Sequence, residues 1–320
     1  MQRRLCIVCA LFALPACSGD PQPPLHSLHG GDPPGFAPPP APARGAQVLG
    51  LPFTVDAGAE AFMCIYLDQP LSRTYDVSRV ETYQMPGGHH IIFSWVADGY
   101  EPVSSVHPCD DSEMSQHRLI GVGGPNPAFA IEAPAGVAFE APGNKRLVIQ
   151  SHYVNTSAKP IVVRDAINLV EAEGPLHAHA SQMVMVDMTF ELPPQANTVR
   201  KTTCNVAAES KVFALAGHTH QWGEHFSLEL LRGSQSEMLY DVEAGEGFRD
   251  EPPLTTYPVD APLELHPGDA LRMTCEWFND QPDAIRYPKE MCAAPMFYYP
   301  SRGFETCLND GGEFVSVELD

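Results

Sequence analysis

From Leu49 onward the apolar residues come in short runs rich in β-branched and aromatic side chains, and no long segment carries a helical period with caps. Ala61-Phe62-Met63-Cys64-Ile65-Tyr66-Leu67, Ile91-Ile92-Phe93-Ser94-Trp95-Val96, Leu147 to Val154 and Lys211 to Ala216 are of this kind. Turn formers such as Pro142-Gly143-Asn144 and Pro267-Gly268-Asp269 bound them. Such runs bury a face as strands, so the expected fold is all-β, of antiparallel sandwich or jelly-roll type. The segment 45–320 is long for one sandwich. Two in tandem are expected, 45–174 and 175–320, with the break near Glu171-Ala172-Glu173-Gly174-Pro175.

The N-terminus reads as an address. Arg3 and Arg4 precede an apolar run from Leu5 to Leu14, followed by Leu14-Pro15-Ala16-Cys17. A charged start, a short apolar core and a small residue at the cut describe a signal peptide over 1–16, too short to span a bilayer. The cysteine after the cut resembles the lipobox of bacterial lipoproteins, with Cys17 as the lipidated residue; an ordinary signal with a coincidental cysteine is the alternative. Residues 17–44 are Pro-rich and are expected to stay extended as a tether, with His26 and His29 incidental. This places the protein at a bacterial envelope membrane, held by its lipid, and Ser18 favours the outer membrane. Forty acidic residues against 19 basic ones give a net charge of −21. So acidic a chain does not suit nucleic acid as a partner.

Nine cysteines are present. Cys6 and Cys9 fall in the signal and Cys17 takes the lipid, leaving Cys64, Cys109, Cys204, Cys275, Cys292 and Cys307. An even number in an oxidising compartment implies disulfides, and the lack of a CxxC spacing argues against a thiolate zinc site. Spacing alone leaves the connectivity open.

Three histidine groups stand out. In Gly87-Gly88-His89-His90, neighbouring side chains of a regular strand point to opposite faces. Both imidazoles reach one ion only where the backbone is irregular, a freedom the glycines supply. His152 lies in a strand whose alternation puts Val148, Gln150, His152 and Val154 on one face and Leu147, Ile149, Ser151 and Tyr153 on the other. His218-Thr219-His220 follows a strand, and its i, i+2 spacing turns both rings the same way, a two-point chelate. His177-Ala178-His179 has that spacing but sits in the expected connection and reads as incidental. His225 lies near the third group; His107, His117 and His266 show no partner pattern.

Taken in order, Gly-Gly-His89-His90, Gln150-x-His152-Tyr153, His218-Thr219-His220-x-x-Gly223 and Glu290-Met291-Cys292 ahead of Tyr298-Tyr299 resemble the copper type II ascorbate-dependent monooxygenases. The resemblance covers the chain from about Leu49 onward and implies two jelly-roll-like sandwiches. It implies an electron-transfer copper on His89, His90 and His152, with Gln150 nearby, and an oxygen-activating copper on His218, His220 and Met291. Imidazole serves both copper oxidation states and a thioether favours Cu(I). It also implies the pairs Cys64–Cys109, Cys204–Cys307 and Cys275–Cys292. The implied activity is hydroxylation of a C–H bond of a small organic substrate, with two copper ions, O₂ and ascorbate or another one-electron donor.

One departure bears on substrate. The peptidylglycine branch clamps a substrate carboxylate with an arginine two residues before its His-x-His pair, and with an asparagine and a tyrosine after its Met-Cys. Here those positions hold Ala216, Ala293 and Pro295. Alanine makes no charge-assisted contact to a carboxylate, so a C-terminal glycine peptide is not the expected substrate. Two rivals remain: a lipid-anchored copper-binding protein without catalysis, and a cupin-like metalloenzyme using His218, His220, Glu224 and His225.

Overall fold

A computed structural model of the chain describes residues 31–317 apart from 111, 112, 114, 115, 126–129, 246, 250, 251 and 288. The expected signal peptide and Cys17 lie outside the described residues. Every principal element among the described residues is a β-strand, and almost all pairings are antiparallel. The all-β expectation holds.

In the first half a five-stranded sheet runs in the order Val106–Pro108, Glu60–Tyr66, Leu147–Val154, Gly88–Val96, His117–Gly123. It faces the strands Gly45–Leu49, Ala166–Glu171, Tyr75–Tyr83 and Val137–Ala141. Between the layers Ile65, Ile91, Phe93, Leu147, Ile149 and Tyr153 meet Val48, Val77, Val80, Ile167 and Leu169. The alternation read from Leu147–Val154 is therefore the observed one: Leu147, Ile149 and Tyr153 enter this core, whereas Val148 packs with Cys64, Tyr66 and Val96 in a separate cluster.

The second half repeats the plan. Gln235–Glu243, Gly223–Arg232, Ala270–Asn279, Ala196–Asn205 and Gly312–Glu313 form a five-stranded sheet. Ala178–Val186, Ala293–Tyr299 and Ser210–Leu215 belong to the opposing layer, and Met185, Phe226, Leu271, Met273, Trp277 and Tyr298 are buried in the core. The halves are not beads on a string. Strand Ala178–Val186 starts parallel to Val137–Ala141 and then pairs with Ala293–Tyr299, so one eleven-stranded sheet runs through both halves. Ala180, Phe213, Phe297 and Tyr299 of the second half accordingly join the first core.

The expected free tether is corrected over its described part. The carbonyls of Pro39 and Pro40 accept the side-chain amides of Gln47 (2.7 Å) and Asn168 (3.1 Å), and Arg164 pairs with Asp32 and covers Phe36. Gln47 and Asn168 are buried, and proline carbonyls supply the acceptors their amides need. Three disulfides, Cys64–Cys109, Cys204–Cys307 and Cys275–Cys292, are the pairs implied by the resemblance. The last two cross between the layers of the second half.

Asp165 is buried beneath the first sheet, accepting the Tyr153 hydroxyl at 2.8 Å. Burial pushes its carboxyl up to about 6, against the pull of hydrogen bonds from Ser151, Tyr153 and Gln84. The folded protein thus holds a proton that the unfolded chain releases near its ordinary value of 3.8. The stability this contributes is complete below that value and is lost as pH rises through about 6. Urea unfolding at pH 4 and pH 7 should show Asp165→Asn gaining about 2 kcal/mol on the wild type over that interval.

Candidate metal centres

The first histidine group is assembled by a bulge. Strand Gly88–Val96 pairs Gly88 with Tyr153 and His90 with His152, which leaves His89 as the extra residue. A bulge re-aims a side chain that regular alternation would send to the opposite face. The two glycines permit it: Gly87 has φ +94°, and a Cβ on Gly88 would stand 2.3 Å from that of Gln84. The His89 and His90 rings lie 5.0 and 4.8 Å, centroid to centroid, from that of His152. His152 is wholly buried, with Phe62 stacked on it at 3.9 Å. Its Nδ1 stands 3.3 Å from Nδ1 of His90. Two nitrogens about 2.0 Å from one ion at a near-tetrahedral angle are separated by about that distance, so the His90–His152 pair fits two positions of a metal ligand set. Gln150 is half-buried one alternation along the same face as His152.

The second group sits where strand Ser210–Leu215 runs out. His218 forms an isolated antiparallel bridge with Ala293 through two backbone hydrogen bonds of 2.8 and 3.0 Å. Beyond that bridge His220 and Met291 are brought together at Glu290, whose Oε1 accepts the backbone N–H of both. The His218 and His220 rings are 5.2 Å apart, as the i, i+2 spacing predicts, and the intervening Thr219 is buried. Nδ1 of His220 lies 3.0 Å from the Lys289 carbonyl. A carbonyl only accepts, so Nδ1 carries the proton and Nε2 keeps its lone pair for a metal. Cys292, next to Met291, is tied to Cys275 of the facing sheet. Two imidazoles and a thioether are a donor set suited to copper rather than zinc.

The residue that holds this second group together is Glu290, quoted in the motif but given no role by sequence reasoning. It is fully buried. Its Oε1 accepts the backbone N–H groups of His220 and of Met291 (2.8 Å), and its Oε2 accepts that of Trp222 at 3.2 Å. Burial pushes its carboxyl up, opposed by these donors. A glutamate beside Met-Cys carries no sequence signal that it turns inward.

Several other described histidines are engaged elsewhere. His225 reaches Asp241 at 2.6 Å and Glu276 at 3.6 Å on the outer face of the second five-stranded sheet, and His179 pairs with Asp76 at 2.8 Å. His107 and His117, which show no partner pattern in the sequence, flank a buried cluster. Glu113 accepts from His107 (2.9 Å), Tyr66 (2.9 Å) and Tyr100 (3.0 Å), and Tyr66 meets His117 at 2.7 Å. Burial pushes His117 down to about 4, so it is neutral. Glu113 also lies close to Cys64 and Cys109, but both sulfurs are used in their disulfide.

Residues 178–316 match the family profile described as copper type II ascorbate-dependent monooxygenase, C-terminal domain. The second half of the chain is similar to that domain. A 196-residue stretch is 24% identical to peptidyl-glycine alpha-amidating monooxygenase A of Xenopus laevis, covering 56% of this chain and 20% of that relative's length. Among solved structures, a triple jelly-roll protein of an archaeal virus matches with a TM-score of 0.24 and 9% identity over 80% of this chain and 61% of the other. A subviral particle protein of infectious bursal disease virus matches at 0.20 and 10%, over 84% and 75%. TM-scores this low carry no inference about architecture or function.

Replacing Glu290 by Ala strands three backbone donors and should cost about 3 kcal/mol or more. Glu290→Gln should also destabilise, because the amide NH₂ faces a donor whichever way it turns. Denaturant midpoints at pH 7 measure both.

Proposed function

We propose that the whole chain is a copper-dependent monooxygenase that hydroxylates a C–H bond of a small organic substrate, using O₂ and ascorbate or another one-electron donor. The observation that carries this reading is the pairing of two donor sets of different chemistry on the two sandwiches. One is all imidazole; the other combines imidazole with a thioether in the half similar to the family's C-terminal domain. Copper, when bound, supplies the one-electron chemistry and the activation of O₂.

The protein's own part is to hold donors in fixed geometry. His89, His90 and His152 would bind the ion that passes electrons, and imidazole, a donor of intermediate softness, serves both of its oxidation states. His218, His220 and Met291 would bind the ion that meets O₂, the thioether favouring the reduced state. The Lys289 carbonyl fixes the His220 tautomer, Glu290 locks the backbones of His220 and Met291 to each other, and the Cys275–Cys292 bond restrains the methionine's strand end.

Substrate choice follows from what is missing. Ala216 and Ala293 are buried small residues, and Pro295 lies between Ala294 and Met296 in the strand. None offers a cation to a carboxylate, so the reading favours a substrate without a terminal carboxylate to clamp. It also places the protein at a bacterial envelope, anchored through lipid on Cys17. No helix among the described residues is long and apolar enough to cross a membrane.

Two outcomes are expected. Copper analysis of the purified protein after dialysis should find two ions per chain, and Met291→Ala should weaken one of them as Cu(I) while sparing the other. Retention of a single metal, or of zinc regardless of Met291, would remove the monooxygenase reading and favour simple metal binding. In oxygen-electrode assays with ascorbate, glycine-extended peptides should give no uptake above the substrate-free rate, whereas a productive small substrate raises it.

A further inference from the structure

The first histidine group has a neighbour that the ligand set does not include. Glu60 opens strand Glu60–Tyr66, and in the ladder with Leu147–Val154 it stands opposite Val154 while Phe62 stands opposite His152. Residues 60 and 62 share a face, so both flank the same imidazole. Phe62 stacks on the ring, and Oε1 of Glu60 lies 2.8 Å from Nε2 of His152. A carboxylate oxygen accepts, so Nε2 carries the proton. Nδ1 then keeps the lone pair, and it is Nδ1 that stands 3.3 Å from Nδ1 of His90.

A carboxylate 43% exposed would ordinarily sample several rotamers. This one is held from the other half of the chain. Nη1 of Arg249 lies 3.3 Å from the same Oε1. Arg249 follows Phe248, which is buried in the second core, so its backbone is anchored there. Basic residues are outnumbered two to one in this protein, yet one is spent here, against the acid that engages a buried histidine of the other half.

We infer that Glu60 is a positioning residue that selects Nδ1 of His152 as the metal-facing nitrogen, and that Arg249 keeps Glu60 in place from the second half. Orienting carboxylates of this kind fix the tautomer and ring angle of a ligating histidine. The contact between the halves and the geometry of the first metal centre are then one unit. The inference rests on reading the first histidine group as a copper site, but the hold on His152 exists in the metal-free protein and can be measured there.

The test has two arms. In the metal-free protein, long-range ¹H–¹⁵N correlation of the histidine rings should show His152 protonated at Nε2. That preference should be lost in Glu60→Ala, kept in Glu60→Gln, whose amide oxygen still accepts, and untouched in Met291→Ala. In copper titrations followed by chelator competition and EPR, Glu60→Ala should weaken the first site about 10- to 100-fold and alter its Cu(II) spectrum, leaving the second site unchanged. Arg249→Ala should weaken the first site about fivefold. A His152 protonated at Nδ1 in the wild type, or an unchanged first-site affinity in Glu60→Ala, would overturn the inference. If the wild type binds no copper at this group while the Nε2 preference still depends on Glu60, the copper reading fails and the hold on His152 stands.

Discussion

Strand Ala178–Val186 is the constraint on which the rest depends. Its first residues lie parallel to Val137–Ala141 of the first half, and its remainder pairs with Ala293–Tyr299, the strand that begins two residues after Met291. A strand shared in this way cannot tilt for one partner without disturbing ladder bonds to the other. The two histidine groups therefore sit on halves joined by backbone hydrogen bonds and a mixed core rather than by a loose linker.

Within that frame each group is built by a local break in β regularity. At Gly88–His90 a bulge brings two consecutive imidazoles toward a third across the strand pair. At His218 the ladder narrows to a single bridge, after which the chain turns at His220–Gly223 around the Glu290 carboxylate. The two devices differ in what they fix. The bulge sets ring direction through backbone conformation, whereas Glu290 sets the spacing of two segments through hydrogen bonds. The first calls for small residues; the second calls for a buried charge satisfied on both oxygens.

Buried carboxylates recur as organisers. Glu290 braces the second group, Glu113 gathers His107 and two tyrosines beside the Cys64–Cys109 bond, and Asp165 backs the strand that carries His152. In a chain with net charge −21, such groups fold only where donors already wait, because an unpaired buried carboxylate is costly. Asp165, whose donors are neutral, meets that cost by holding its proton to higher pH.

Much of this was legible in the chain itself. Short β-branched runs and turn residues determined an all-β fold, period-two alternation placed His152 and Gln150 on the face away from the core, and the i, i+2 spacing aimed His218 and His220 together. Adjacent histidines after two glycines already required an irregular strand. These features are local, set by the alternation of side chains along a few residues. Tertiary structure alone decided that Glu60 and Arg249, 189 positions apart by number, meet beside His152, that Glu290 turns inward, that His107 finds the Glu113 carboxylate and His117 the Tyr66 hydroxyl, and that residues 32–40 dock instead of trailing. Each of those depends on which strands become neighbours. That choice is made by burying the whole apolar surface at once, and no short stretch of sequence contains it.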